Sequence, residues 1–394
     1  MSCASANRLL RIFTAKPSIN TETTTTTVLN PVAVTRVHTN KHDYETPQGL
    51  RNVVDMFKKS CKNKQFRLRS DIYKSTVLRL AKVKAFPMIE EILEAQKNYK
   101  QISSEGFVIR LISLYGKAGM FDHALTLFDE MPTFYCHRTV KSFSALLRAA
   151  VSAKRYDVVE ELFRQFPSKY SIQLDVVSYN VGIYAFCEMG STDLALGMLR
   201  EMEELGMEPN LITFHTLLCV FYEKRGYEEG EKIWALMQTR DGVDPDVVSY
   251  KLRLKGMILG GQVMEAVELV DEMRLKGVQP DVHCFNVLIK GFCNDGKLEE
   301  AKHWYDELVK CVGTANRTTY GTLVPFLSEK GDFDMAFQIC KVALATNGRL
   351  LIDVGVLKGV VERLFSQGMI GEAKTLVDLA RKKKLEIDLP LNMW

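Results

Sequence analysis

The stretch 291–297, GFCNDGK, carries the GxxxxGK spacing of a phosphate-binding loop. In such a loop backbone N–H groups cradle phosphates and a following Ser or Thr hydroxyl holds magnesium. Leu298 stands where that hydroxyl belongs, and the segment lies between two helical patterns instead of after a strand. It reads as a turn. The nine cysteines are scattered singly, without CxxC or metal-ligand spacing, and no nucleophile signature surrounds any of them. That usage suits a reducing compartment, with thiols serving as small core residues. The seven histidines show no HExxH pattern. No catalytic residue, metal site, cofactor or small-molecule substrate is expected.

A second chemistry is written in residues 58–69, KKSCKNKQFRLR, which contain no acid. Lys58, Lys59, Lys62, Lys64, Arg67 and Arg69 are candidates for phosphate contact; a solvated basic face is the plainer reading. Charge is unevenly shared. Residues 1–69 carry a net +8, whereas the whole 394-residue chain is +4, so the remainder is −4. A mildly acidic body is no polycation, and any nucleic-acid contact must rest on local placement. The run 381–384, RKKK, is already favoured by a helix dipole at its C-terminal end.

What positions these residues is a repeated sentence. VVSYNVGIYAFCEMGSTDLALGMLREMEELGMEPN (176–210) returns as VHCFNVLIKGFCNDGKLEEAKHWYDELVKCVGTAN (282–316). In the first copy Tyr179, Gly182, Ile183, Phe186 and Cys187 fall at i, i+3, i+4, i+7 and i+8, one face of a helix. Gly190 breaks the pattern, and Ala195, Met198, Leu199 and Met202 resume it until Gly206 and Pro209. Phe285, Leu288, Ile289, Phe292 and Cys293, then Gly296, then Ala301, Trp304, Tyr305 and Leu308 repeat the spacing. These aromatic and methionine stripes, Trp234 and Trp304 included, are core.

The register extends to repeats 70–104, 105–139, 140–175, 176–210, 211–246, 247–281, 282–316, 317–353 and 354–388. Glycine recurs between the helices at 119, 190, 261, 296, 331 and 368, and alanine early in the second helix in the same six repeats. The repeat 70–104 is the weakest, with Lys84 and Ile89 at those positions. A single pair cannot bury its apolar face alone, so neighbours must stack into an all-α solenoid of about nine helix–turn–helix repeats. Residues 41–69 form a basic N-terminal capping segment, and 389–394 a tail.

Residues 1–40 carry Arg8, Arg11 and Lys16 with no acid before Glu22, a short apolar helical side, and a TETTTTT run. This is the composition of an organelle transit peptide, mitochondrial first and chloroplast second. No run of about 18 apolar residues exists, so no membrane span is expected.

The repeats resemble the pentatricopeptide repeat, whose 35-residue consensus reads roughly VVTYNTLIxGxCKxGxxxEAxxLFxEMxxxGxxPD. DVVSYNVGIYAFCEMG, DVHCFNVLIKGFCNDGKLEEA and AVELVDEMRLKGVQPD carry the match, which covers most of the chain. The resemblance implies a right-handed superhelical, P-type array, plant-dominated and organellar, that binds single-stranded RNA without catalysis. It also implies that one base is read per repeat by the fifth and last residues. Carried over, Ser144 with Asp175 looks like a guanine reader, and Asn180 with Asn210 and Asn286 with Asn316 like pyrimidine readers. His215 with Asp246 and Lys251 with Asp281 occupy the same positions in combinations the family does not use. So do Gly321 with Asp353 and Lys358 with Asp388, while Lys74 with Ser104 and Ile109 with Thr139 are further off. Lys251 and Lys358 could instead reach phosphates. Asp or Asn before a helix is also an ordinary N-cap.

Two functions are therefore expected in order. The first is an RNA-binding protein of mitochondrial transcript metabolism or translation. The alternative is a scaffold of the mitochondrial ribosome, contacting ribosomal RNA and proteins, as some short P-type members of the family do.

Overall fold

The computed structural model describes residue 44 and residues 46–346, 351–385 and 387. The expected transit peptide, Asp388 and the tail 389–394 lie outside the described residues. Among the described residues every regular element is helical.

Among the described residues nine helical pairs follow one another. The first helices run Ser70–Lys82, Glu105–Lys117, Val140–Ser152, Val176–Met189, Leu211–Val220, Val247–Leu259, Val282–Asn294, Arg317–Lys330 and Val354–Ser366. Their partners run Phe86–Glu94, Phe121–Glu130, Asp157–Tyr170, Thr192–Glu204, Tyr227–Gln238, Val263–Leu275, Leu298–Val312, Phe333–Ala345 and Ile370–Lys382. Ahead of them stand Pro47–Ser60 and the short helix Lys64–Arg67. The chain divides into two compact units, one ending at Leu217 and one beginning at Leu218.

The apolar periodicity explains why each pair folds. Phe285, Leu288, Ile289 and Phe292 are buried, as are Ala301, Trp304, Tyr305 and Leu308 on the second helix. The Phe285 and Trp304 rings lie 6.1 Å apart across the pair, and at about 25 cal/mol per Å² such burial dominates stability. Several of the first helices start where a side chain caps them. Asp246, Asp281, Asn316 and Asp353 each accept from backbone N–H groups of the following first turn. Each cap stabilises its helix by about 1 kcal/mol.

The bend between paired helices needs a left-handed residue. Glycine supplies it at 119, 190, 261, 296, 331 and 368, with φ between 73° and 84°. Two repeats make the same bend with lysine: Lys84 has φ 58° and Lys154 φ 60°. The repeat 211–246 solves it differently. Its glycine, Gly226, comes one residue late, and Phe221–Arg225 winds as a π-helix that absorbs the extra residue.

Where helices cross, a missing Cβ lets them close. In the N-terminal unit a Cβ on Gly116 would overlap Ala149 of the next first helix. In the C-terminal unit Tyr222 fills the space left by Gly230 and Gly256 and donates to Glu231 at 2.5 Å.

Candidate nucleic-acid interface

The fifth residue of a repeat lies on the first helix, and the last residue is the N-cap of the helix that follows. The structure brings the two together. Asn180 Nδ2 donates to Asn210 Oδ1 at 3.3 Å, and Thr213 Oγ1 donates to Asn180 Oδ1 at 2.6 Å. The same triangle recurs in the other unit. Asn286 Nδ2 donates to Asn316 Oδ1 at 3.1 Å, and Thr319 Oγ1 donates to Asn286 Oδ1 at 2.7 Å. Asn210 and Asn316 also keep their capping role, accepting from the N–H groups of Ile212 and Thr213, and of Thr318 and Thr319. Capping and pairing are thus one arrangement. Each central amide thereby uses one N–H and one acceptor site of its own. Asn180 and Asn286 are only 2% and 8% exposed.

Ser144 and Asp175 are joined through a third residue. Ser144 Oγ lies 3.0 Å from Ser178 Oγ, which donates to Asp175 Oδ1 at 2.7 Å; Asp175 also accepts from the Ser178 N–H at 2.8 Å. Sequence reasoning missed Ser178, Thr213 and Thr319. Their signal was a hydroxyl residue at the third position of a repeat, where a capping helix already accounts for it. In the unmatched combinations, His215 is 4% exposed, and Asp246 caps through the Ser249 N–H at 2.9 Å. Asp281 directs its carboxylate to the N–H groups of His283 and Cys284, both at 2.9 Å, and Lys251 forms no bond with it. Lys358 lies 3.8 Å from Glu362 on its own helix. The Gly355 N–H, with Arg317 beside it, holds the Asp353 carboxyl below its ordinary range.

The basic run 58–69 is corrected in part. Arg67 is 8% exposed: its Nη1 donates inward to the carbonyls of Cys61 and Lys62, and its guanidinium lies 4.3 Å from the Tyr99 ring centroid. It closes the turn after Pro47–Ser60, with its guanidinium directed inward. Arg69 forms a two-point pair with Asp71, at 3.1 and 2.8 Å, and Lys58 pairs with Glu91 at 2.9 Å. Both acids lie outside the run, so the run alone overstated its free charge. Lys59, Lys62 and Lys64 are exposed and free of ion pairs among the described residues.

No group of three His, Cys, Asp or Glu among the described residues could hold a metal ion. Gly296, the glycine of the phosphate-loop lookalike, has φ 73° and makes the inter-helix bend.

The PPR repeat family pattern matches residues 174–223, 245–294 and 280–329, and the PPR repeat residues 110–136. The small ribosomal subunit protein mS78 (rPPR3a) of Arabidopsis thaliana is 44% identical over 210 residues, 52% of this chain. The chain spans about half, 53%, of that relative's length. An Arabidopsis thaliana pentatricopeptide repeat-containing protein named as mitochondrial is 32% identical over 385 residues, 95% of this chain and 87% of the relative. Among solved structures, the pentatricopeptide repeat protein PPR10 in complex with an 18-nt psaJ RNA element matches with TM-score 0.52 at 20% identity. That match covers 83% of this chain and 47% of PPR10, and shows the fold. With helical pairs throughout and a near full-length relative, the chain belongs to the pentatricopeptide repeat family.

Proposed function

We propose that the chain is a non-catalytic RNA-binding protein of mitochondria, acting on transcripts or in translation. The observation that carries this reading is the repeated triangle at Asn180–Asn210–Thr213 and Asn286–Asn316–Thr319. A stacked core does not require an amide at the fifth position, and in both repeats the amide is oriented by two neighbours with bonding capacity to spare. Base reading falls to these two repeats and to Ser144 with Asp175, and exposed Lys59, Lys62 and Lys64 position the strand through phosphates.

A second reading is residence in the mitochondrial ribosome. It is favoured by the relative named as small ribosomal subunit protein mS78, and by the small number of repeats with a readable pair. Sedimentation of tagged protein from mitochondria, with and without RNase and magnesium chelation, separates the two. A light, RNase-sensitive particle supports transcript binding. Salt-resistant migration with a ribosomal subunit supports residence there, and free protein in every gradient contradicts both.

A further inference from the structure

The N-terminal unit carries three cations on the face that bears the candidate base-reading positions. Lys74 is itself the fifth residue of its repeat, Arg148 is one helical turn beyond Ser144, and Lys117 is two turns beyond Ile109. Lys117 and Arg148 adjoin Gly116 and Ala149, where two first helices close to contact. Across that crossing Lys117 and Arg148 stand near enough for their like charges to interact.

Nothing nearby neutralises them fully. None of the three forms an ion pair or a side-chain hydrogen bond among the described residues. Asp71, on the helix of Lys74, is spent on Arg69. Glu105, on the helix of Lys117, accepts from Thr139 Oγ1 at 2.7 Å and from the N–H groups of Thr139 and Ser142. Asp175 offsets part of the charge on Arg148, whose guanidinium burial holds below its ordinary range. Lost solvation, then the like charges of Lys74 and Arg148, hold the Lys117 ammonium below the usual lysine range. On the first helices of the C-terminal unit Lys255 is paired with Glu223 and Lys358 with Glu362, whereas Lys251 has no ion pair among the described residues. Like charges left together oppose folding and persist where a ligand of opposite charge meets them.

Resting on the RNA-binding reading, we infer that Lys74, Lys117 and Arg148 form a phosphodiester-binding cradle, which grips the RNA backbone across the repeats 70–104, 105–139 and 140–175. The first two of these repeats hold the strand where their fifth residues, Lys74 and Ile109, do not read bases. Phosphate contact carries no sequence information, so the cradle would set affinity and register.

The test is fluorescence anisotropy of the full chain with a fluorescent single-stranded RNA of mixed sequence over a salt series. The variant Lys74→Gln/Lys117→Gln/Arg148→Gln is compared with Lys232→Gln/Lys276→Gln/Lys310→Gln, which removes equal charge from second helices. The cradle variant should bind about tenfold or more weakly at low salt, and the slope of log K against log salt should flatten by about 2. The control should match wild type. A second readout guards against misfolding: Lys117→Gln alone should raise the melting temperature at low salt while weakening RNA binding. RNA binding by wild type with an unchanged cradle variant would overturn the cradle and leave the RNA-binding reading standing. No RNA binding by wild type would overturn both. Displacement of RNA by a glutamate peptide at equal charge would assign the cradle to an acidic protein surface instead, and so overturn it.

Discussion

The side-chain amide of Asn286 donates to Asn316 at 3.1 Å while accepting from Thr319 at 2.7 Å, joining a helix to the cap of the next. One contact thus ties two neighbouring repeats together. Asn286→Ala removes one partner from the Thr319 hydroxyl and one from Asn316 Oδ1, which keeps the N–H groups of Thr318 and Thr319, at a cost of about 1 kcal/mol. Thermal melting should show a lower midpoint for Asn286→Ala. An unchanged midpoint would mean that the triangle contributes nothing to the fold.

The left-handed lysines offer the opposite sign. Lys84 and Lys154 hold φ values of 58° and 60° in bends that glycine makes elsewhere. Lys84→Gly and Lys154→Gly should each stabilise by about 0.5–1 kcal/mol, because glycine takes that conformation without a Cβ clash. Denaturant melts of the two variants check it. Destabilisation would show that the lysine side chains do more there than tolerate strain.

The helical pairs were legible because stacking repeats the inward residues, and six glycines marked the bends. The remaining bends were not. Lysine gives no hint of a positive φ, and a π-turn that absorbs one residue before Gly226 leaves no composition of its own. At the candidate interface, pair positions could be counted from the register, whereas their geometry could not. Ser178, Thr213 and Thr319 looked like capping residues alone, and their second bond runs to a residue about one repeat earlier. Arg67 looked free because the sequence does not show that its guanidinium folds back onto Cys61 and Lys62.

Close helix crossing gives a paired prediction. A Cβ on Gly116 would overlap Ala149, whereas one on Gly106 of the same helix meets nothing within 4 Å. Gly116→Ala should destabilise by about 1–3 kcal/mol through overpacking. Gly106→Ala should be neutral or stabilise by up to about 1 kcal/mol, by lowering the entropy of the unfolded chain. Ala301→Leu, at a buried second-helix position, should behave like Gly116→Ala. Equal melting of all three would contradict the crossing geometry.

Thiol reactivity should follow burial. Burial pushes the thiols of Cys293 and Cys340 up to about 12, and that of Cys284 to about the same value. A raised pKa means less thiolate at pH 8, so these three should resist iodoacetamide in the folded protein, and Cys311, which is exposed, should react first. Peptide mapping by mass spectrometry reads each site separately. Fast labelling of Cys340 ahead of Cys311 would contradict the packing.

The central claim is that orienting Asn180 and Asn286 lets two repeats read bases. The most direct measurement is selection from a random single-stranded RNA pool by wild type, Asn180→Ser and Asn286→Ser. Wild type should enrich pyrimidines at two positions three bases apart, one for each repeat from 176–210 to 282–316. Each variant should change preference at one of those positions and keep the other. Identical preferences in all three proteins would mean that the asparagines cap and pack, and that the chain does not read RNA through them.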